Sequence, residues 1–431
     1  MIQSNLINNI LLIGANAIAK MATIIVIFLI PIYLGVDPFN FDQTEITLYI
    51  VKIIFLTTFF KVIGGVIGDF VTTSKWSLVG SMASFALAFF CFTTTTEGVI
   101  DLGLFFYLLG AGFFDANLNA HLGRLNFEKP IYNERILLIT SYVAVLAVAL
   151  ITFYCFQVQK DNPSYIDYST NSNFNPNGYL SEKPTSEEYL ASLQVTFTIF
   201  SFLSLLIGIA LCFIKNIRFD EKVESIVVPT KSRALTLIGL ILVPIGFTLL
   251  YSLLSNSGGF KSFGEYVVLQ NLSLGDYLLL NQGLLIGLPV IILFLFIKMN
   301  TSLKMILSSV FALISLIVFF LLETTGTSSI KYLGYVSFGI AETLFLPTLF
   351  ATIYRNTRPR YYGSIYGASL FLSSFIAVIL FMKIMLSREK ALLFIGVALV
   401  LTILFFVVSL IIRQDSPKHG ILKDTKNLDE F

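Results

Sequence analysis

Residues 64–69 have the sequence Gly-Gly-Val-Ile-Gly-Asp, and they end a long apolar segment just before the turn that holds Lys75. Glycines allow two membrane helices to approach each other closely, so this segment predicts tight helix packing. Asp69 lies at the helix end, beside a basic turn. We interpret Gly65, Asp69 and Lys75 as a conformational latch that breaks when two halves of the molecule move. A tight turn with a solvated aspartate is the alternative.

The composition of the whole chain indicates a membrane protein. Its 431 residues are 56% hydrophobic and 13% charged, with a mean hydropathy of +0.84. A soluble domain has about 25% charged residues, so about half of the usual charged surface is missing. This composition argues against a soluble enzyme and gives no support to nucleic-acid binding. The three cysteines lack the spacing of a metal site, and we expect neither a metal nor a cofactor.

Apolar segments long enough to cross a hydrocarbon core of about 30 Å recur along the chain. Strands of a membrane barrel would alternate in polarity over about ten residues, whereas these segments are apolar on every face. We therefore predict an all-α membrane protein with twelve transmembrane helices in two six-helix bundles. The predicted spans cover residues 6–34, 46–68, 77–96, 101–123, 135–156, 192–214, 234–254, 276–297, 304–322, 330–354, 362–385 and 391–412.

Basic residues give the orientation, because lysine and arginine stay on the cytoplasmic side. With the N-terminus inside, the inner loops and tail hold 18 basic residues and the outer loops hold six. This predicts a multi-pass protein of the plasma (inner) membrane with both termini cytoplasmic.

The same layout predicts the domain organisation. An N-terminal six-helix bundle covers 1–214 and includes an outer loop at 157–191, which is rich in Asn, Ser, Pro and Tyr. A charged cytoplasmic linker at 215–233 leads to a C-terminal bundle at 234–413 and a cytoplasmic tail at 414–431. A linker at this place suits a transporter built from two halves.

Ionisable residues within the spans are the candidate site, because such residues are costly and normally face a cavity or a partner. Asn16 and Lys20 share one face of span one, and Asp115 and Asn119 share one face of span four. We predict that these faces meet and that Lys20 pairs with Asp115. A purely structural ion pair is the alternative. Lys61 lies toward a span end, where a long basic side chain is expected to extend to the interface.

Glu342 lies near the middle of span ten, and Asn281 opens span eight. Burial of an acid favours its neutral form, so Glu342 is a candidate for proton exchange or for binding a cationic group. A protonated carboxyl bonded to a backbone carbonyl is the alternative. Asn281 is a candidate for lining the same cavity, although polar residues also hold membrane helices together.

Several short motifs together resemble the proton-dependent oligopeptide transporter family of the major facilitator superfamily. They are the Gly-Gly-x-x-x-Asp turn at 64–69, the Gly-x-Gly-x-x-x-x-Asn run at 110–117, and Glu342 five residues before Pro347, with Asn281-Gln282-Gly283 as a weaker match. The resemblance implies two bundles around a central cavity and proton-driven uptake of small peptides by alternating access. It also implies that Glu342 receives the amino end of the peptide and contributes to gating.

The sequence departs from that family in the N-terminal half. The span-one signature Glu-x-x-Glu-Arg falls at 16–20, where both acids are absent, and the family's span-four lysine falls at Asp115. The predicted function is a secondary active transporter for a short peptide or amino-acid-like solute, acting as a monomer in the lipid bilayer, with protons as the candidate coupling ion. A facilitator or exporter of another organic solute, and a non-transporting membrane subunit, are the alternatives. We find no catalytic set and expect no enzyme.

Overall fold

The computed structural model describes residues 2–35, 39, 43–125, 186–217, 299, 301–325 and 359–369, with isolated helical residues within 136–158, 333–344, 371–372 and 400–410. These described residues form helices and turns, and no strand occurs among them. The all-α prediction is therefore confirmed for this part of the chain.

The helices of the described part coincide with the first four, the sixth, the ninth and the eleventh predicted spans. The π-helical turn Ile67–Val71 prolongs the second helix, and the 3₁₀ turn Pro359–Tyr361 precedes the last. We name the helices α1 (Ile2–Leu34), α2 (Gln43–Val66), α3 (Ser74–Cys91), α4 (Glu97–Leu125), α5 (Ser186–Leu211), α6 (Thr301–Thr325) and α7 (described over 362–369).

Helices α1 to α6 all begin three to six residues ahead of their predicted spans, and α4 and α5 show one reason. Helix α4 starts at Glu97, ahead of the predicted residue 101, and α5 starts at Ser186, inside the range predicted as outer loop. Acidic residues occupy both first turns, namely Glu97 in α4 and Glu187 and Glu188 in α5. Carboxylates stabilise a helix N-terminus because the helix dipole is positive there, so the charges that lower local hydropathy favour the helix.

Four helices of the described part contain apolar stretches long enough to cross a membrane. These stretches are Leu6–Val26, Ser74–Cys91, Glu97–Leu125 and Glu187–Leu211. Together with the composition, they support a protein that passes through the bilayer several times.

Aromatic side chains form the core between α3 and its neighbours α4 and α5. The Phe89 ring lies 5.9 Å from Phe92 and 6.3 Å from Phe197 of α5, measured between centroids, and Tyr33 of α1 meets Phe197 edge-on at 5.6 Å. Such pairs contribute about 0.5–1.5 kcal/mol each. The Tyr33 hydroxyl donates a hydrogen bond to the Thr94 carbonyl at 2.7 Å, which satisfies its polar end.

Glycines set the register between α2 and α4. A Cβ atom at Gly64 would lie 2.5 Å from the Phe113 Cα, so the two backbones could not approach this closely with any larger residue. Residue numbers rise together along the contact, which shows that the two helices run parallel. The contacting pairs are Phe60 with Gly112, Gly64 with Phe113, and Gly68 with Asn117.

An adjacent face of α2 packs against α7 from the C-terminal half of the chain. Gly65 lies against the Gly363 backbone, and Gly367 lies against the Lys61 backbone. The numbers run in opposite senses, so α2 and α7 are antiparallel. Helix α2 therefore joins two neighbours through glycine contacts on two of its faces, and this arrangement positions the site.

Candidate functional site

Three ionisable side chains from α1, α2 and α4 form a charged cluster. The Lys20 Nζ lies 2.7 Å from the Asp115 Oδ1, and the Lys61 Nζ lies 2.8 Å from the Asp115 Oδ2. Each carboxylate oxygen therefore faces one ammonium group. The Lys20–Asp115 contact is the one that the sequence predicts, whereas its role in transport stays a prediction.

The members of the cluster differ in exposure. The side chain of Lys20 is 34% exposed, while those of Lys61 and Asp115 are 15% and 16% exposed. Two lysines share one carboxylate, so the three side chains carry an excess of one positive charge when all are ionised. Lys20 is thus the more accessible of the two cations to a small anionic group.

Tyrosines border the cluster. Tyr107 of α4 is buried near Thr23 of α1 and near Asp115. Tyr366 of α7 also lies within electrostatic range of Asp115 and is only 6% exposed. The cluster therefore lies beside the contact with the C-terminal half.

The second group of charges joins the two halves directly. Asp69, in the π-helical turn after α2, forms an ion pair with Arg124 in the last turn of α4. The Asp69 side chain is 0% exposed and that of Arg124 is 6% exposed. Arg124 also donates to the Arg360 carbonyl at 3.4 Å, so this guanidinium contacts both halves.

Asp69 also accepts hydrogen bonds from the start of α7. The Ser364 backbone N–H donates to Oδ2 at 2.7 Å, the Ser364 hydroxyl donates to the same oxygen at 2.7 Å, and the Gly363 N–H donates to Oδ1 at 3.3 Å. The first N–H groups of a helix have no partner within it, and a carboxylate is favourable there. Asp69 therefore acts as a cap for α7 from the other half of the molecule.

Local sequence explains why one helix serves both groups. Lys61, Gly65 and Asp69 are spaced four residues apart, so they share one side of α2. Lys61 reaches the charged cluster, Gly65 allows the close approach of α7, and Asp69 caps α7.

The structure assigns other contacts to three predicted site residues. Asn16 donates to the Thr140 carbonyl at 3.3 Å, and Asn119 donates to the Asp115 backbone carbonyl of its own helix at 3.4 Å. Arg124, and not Lys75, forms the ion pair with Asp69. The Lys75 ammonium lies 5.2 Å from the centroid of the Trp76 ring. The predicted latch therefore contains Gly65 and Asp69, with Arg124 in the place expected for Lys75.

Two further predicted residues, Glu342 and Asn281, lie outside the described residues. Their roles remain predictions.

Sequence reasoning missed three residues of the site. Lys61 is not an interfacial side chain as expected, because Asp115 binds it inside the bundle. Its spacing from Gly65 and Asp69 is the signal that could have identified it. Arg124 and Ser364 each follow a glycine in the sequence, but only the register of α2 against α4 and α7 shows that they meet Asp69.

No model of a known protein family matches the chain, and no characterised protein matches it in sequence. Solved structures do match it in fold. The Escherichia coli fucose:proton symporter FucP is 12% identical, with a TM-score of 0.64 over 95% of this chain and 98% of that one. The human organic anion transporter MFSD10 is 12% identical, with a TM-score of 0.66 over 94% of this chain and 99% of that one.

These likenesses show the major facilitator fold, with twelve membrane helices in two six-helix bundles. Peptide transporters are among the matching structures. A POT family transporter in complex with 5-aminolevulinic acid is 14% identical, with a TM-score of 0.60 over 95% of this chain and 96% of that one. The resemblance found in the sequence is thus confirmed at the level of the fold.

Proposed function

We propose that the protein is a secondary transporter that moves a short peptide or amino-acid-like solute across the plasma membrane by alternating access. The observation that carries this proposal is the buried contact of Asp69 with Arg124 and with the start of α7. This contact closes one end of the interface between the bundles. All three hydrogen bonds from the start of α7 end on this one carboxylate, so a change at Asp69 would remove them together.

The charged cluster is the proposed site for an anionic group of the solute. Lys20 and Lys61 share Asp115, and Lys20 is the more exposed lysine. A solute carboxylate would therefore compete with Asp115 for Lys20, while Lys61 continues to neutralise Asp115. Charged groups that exchange partners in this way avoid the cost of an unpaired charge in a low-dielectric site.

Glu342 is the proposed partner for the amino group of the solute, as the resemblance to the peptide transporters implies, and Asn281 is proposed to line the same cavity. A carboxyl group within the membrane is also a candidate for proton exchange. We therefore propose an inward proton gradient as the driving force, with both termini in the cytoplasm.

Uptake by proteoliposomes tests this function. A pool of di- and tripeptides would be offered with and without an inward proton gradient to wild type and Glu342→Gln. We expect gradient-driven uptake by wild type and its loss in Glu342→Gln. Glu97→Gln is the matched control, because this exposed acid lies in the first turn of α4, and it should retain uptake.

Other outcomes would separate the parts of the proposal. Peptide uptake that is indifferent to the gradient would contradict proton coupling and indicate a facilitator. No uptake by folded protein under either condition would contradict the peptide assignment. The altered residues 16–20 and the reversed charge at Asp115 would then favour another organic solute, an export direction or a non-transporting membrane subunit.

A further inference from the structure

We propose that the protein binds the headgroup of an anionic phospholipid at a basic aromatic patch formed by Phe70, Lys75, Trp76, Arg360 and Tyr361. This site goes beyond the proposed transport function, since its ligand is a component of the bilayer and not the solute. The patch draws residues from both bundles.

Contacts across the bundle interface hold one part of the patch together. The rings of Phe70 and Tyr361 lie 5.6 Å apart, and the Arg360 guanidinium carbon lies 5.5 Å from the centroid of Phe70. Phe70 follows Asp69, whereas Arg360 and Tyr361 precede α7. All three residues are exposed, and the exposed fraction is 47% for Phe70 and 36% for Tyr361.

The other part of the patch lies at the start of α3, where a hydrogen bond of 2.9 Å between the Thr72 and Ser77 hydroxyls holds the helix against the turn that follows Phe70. Trp76 is the only tryptophan of the chain and is 52% exposed, and the Lys75 ammonium lies 5.2 Å from the centroid of its ring. Helix α3 is one of the apolar stretches that can cross a membrane. Tryptophan at the end of such a helix is typical of the lipid headgroup level, so we place the patch there.

The charge of the patch determines the kind of lipid. The patch contains two basic residues, Lys75 and Arg360, and no acid. Lysine and arginine donate strong hydrogen bonds to phosphate oxygens. The patch also lies on the side that the basic loops predict to be cytoplasmic, where anionic lipids attract basic segments. Because both bundles contribute, a bound headgroup would favour the closed contact beside it.

Trp76 provides the test, since the intrinsic tryptophan fluorescence of this chain reports on the patch alone. The full-length protein would be reconstituted with brominated phosphatidylglycerol or brominated phosphatidylcholine at equal mole fractions, and quenching would give the relative association of each lipid. We expect phosphatidylglycerol to associate more strongly than phosphatidylcholine, by about fivefold for each basic residue that contributes. Lys75→Gln/Arg360→Gln should lose most of this preference. Lys160→Gln/Lys183→Gln, in the predicted outer loop, should keep it.

Three results would overturn the proposal. They are equal quenching by the two lipids in wild type, an unchanged preference in Lys75→Gln/Arg360→Gln, and loss of the preference on addition of inorganic phosphate but not of chloride at equal ionic strength. The last would indicate a site for free phosphate. If the double variant does not fold, Lys75→Gln alone should lose about half of the preference on a logarithmic scale. None of these readings depends on transport activity.

Discussion

The latch at Asp69 and the cluster at Asp115 have the same chemical components in opposite arrangements. In the latch, the turn that prolongs α2 supplies the acid and α4 supplies the base; in the cluster, α2 supplies the base, Lys61, and α4 supplies the acid. Both ion pairs therefore join the same two parallel helices. They differ in what else they contact, because Asp69 also binds α7 whereas the ion-pair partners of Asp115 belong to α1 and α2.

This difference separates two tasks. In the proposed alternating access, separation of α7 from α2 would break the hydrogen bonds of Asp69 to Ser364, since they cross the interface. The same separation would leave the two lysines beside Asp115, because Lys20, Lys61 and Asp115 all belong to the N-terminal half. In the proposed transport cycle, the cluster would therefore respond to the solute, whereas the contacts of Asp69 would respond to the position of the bundles. Variants that affect one group and not the other test this separation.

The largest effect is expected from Asp69→Ala. It leaves the guanidinium of Arg124 buried without its carboxylate, and breaking a buried ion pair in this way costs about 3–5 kcal/mol. We expect a corresponding fall in the free energy of unfolding, measured by denaturation in mixed micelles. Asp69→Ala/Arg124→Leu should recover part of the loss. A double variant as unstable as the sum of the two single variants would contradict the pairing.

A smaller effect is expected from Gly65→Val, which tests the contact between the bundles without changing charge. Its side chain would overlap the backbone of Gly363, and overpacking of this kind typically costs about 1–3 kcal/mol. Gly80→Val is the control, because a Cβ there meets no atom within 4 Å. We expect a lower unfolding midpoint for Gly65→Val than for Gly80→Val. Equal midpoints would show that α7 does not approach α2 this closely.

The smallest effects are expected in the cluster, where each lysine can partly replace the other. Lys61→Met should cost about 2 kcal/mol, because it removes a charged hydrogen bond at a mostly buried position. Lys20→Met should cost about 1 kcal/mol or less, since Lys20 is more exposed. Uptake should show the reverse order, with the larger loss of apparent affinity in Lys20→Met. The same order in both measurements would contradict the division of roles between the lysines.

Much of the fold follows from the sequence, because a membrane helix needs about 20 apolar residues and the segments of this length are easy to locate. The observed α1, α2 and α6 lie close to their predicted bounds. Helices α1 to α6 all begin ahead of their predicted spans, α5 by the most, six residues. In α4 and α5, glutamates that stabilise the first turn also lower the apolar average, so a criterion based only on hydropathy begins these helices too late.

The site was predictable only in part, for a physical reason. Lys20 and Asp115 are both placed mid-span, where an unpaired charge is costly, so their pairing could be inferred. Lys61 was expected to extend to the interface because it lies toward a span end, and only the packing of α2 against α4 brings it to Asp115. Arg124 and Ser364 depend on how three helices dock. That docking is set by backbone contacts at glycines, whose partners do not appear in the sequence.

The arrangement of glycines along α2 limits how this part of the chain can change in length. Gly64 and Gly68 face α4, whereas Gly65 faces α7. One residue inserted ahead of Gly64 would turn every later side chain of the helix by about 100°. Each glycine would then leave its neighbour, and Asp69 would leave the start of α7. Insertions and deletions should therefore be absent from 61–69 in any functional variant, although many substitutions outside its glycines and charges would be tolerated.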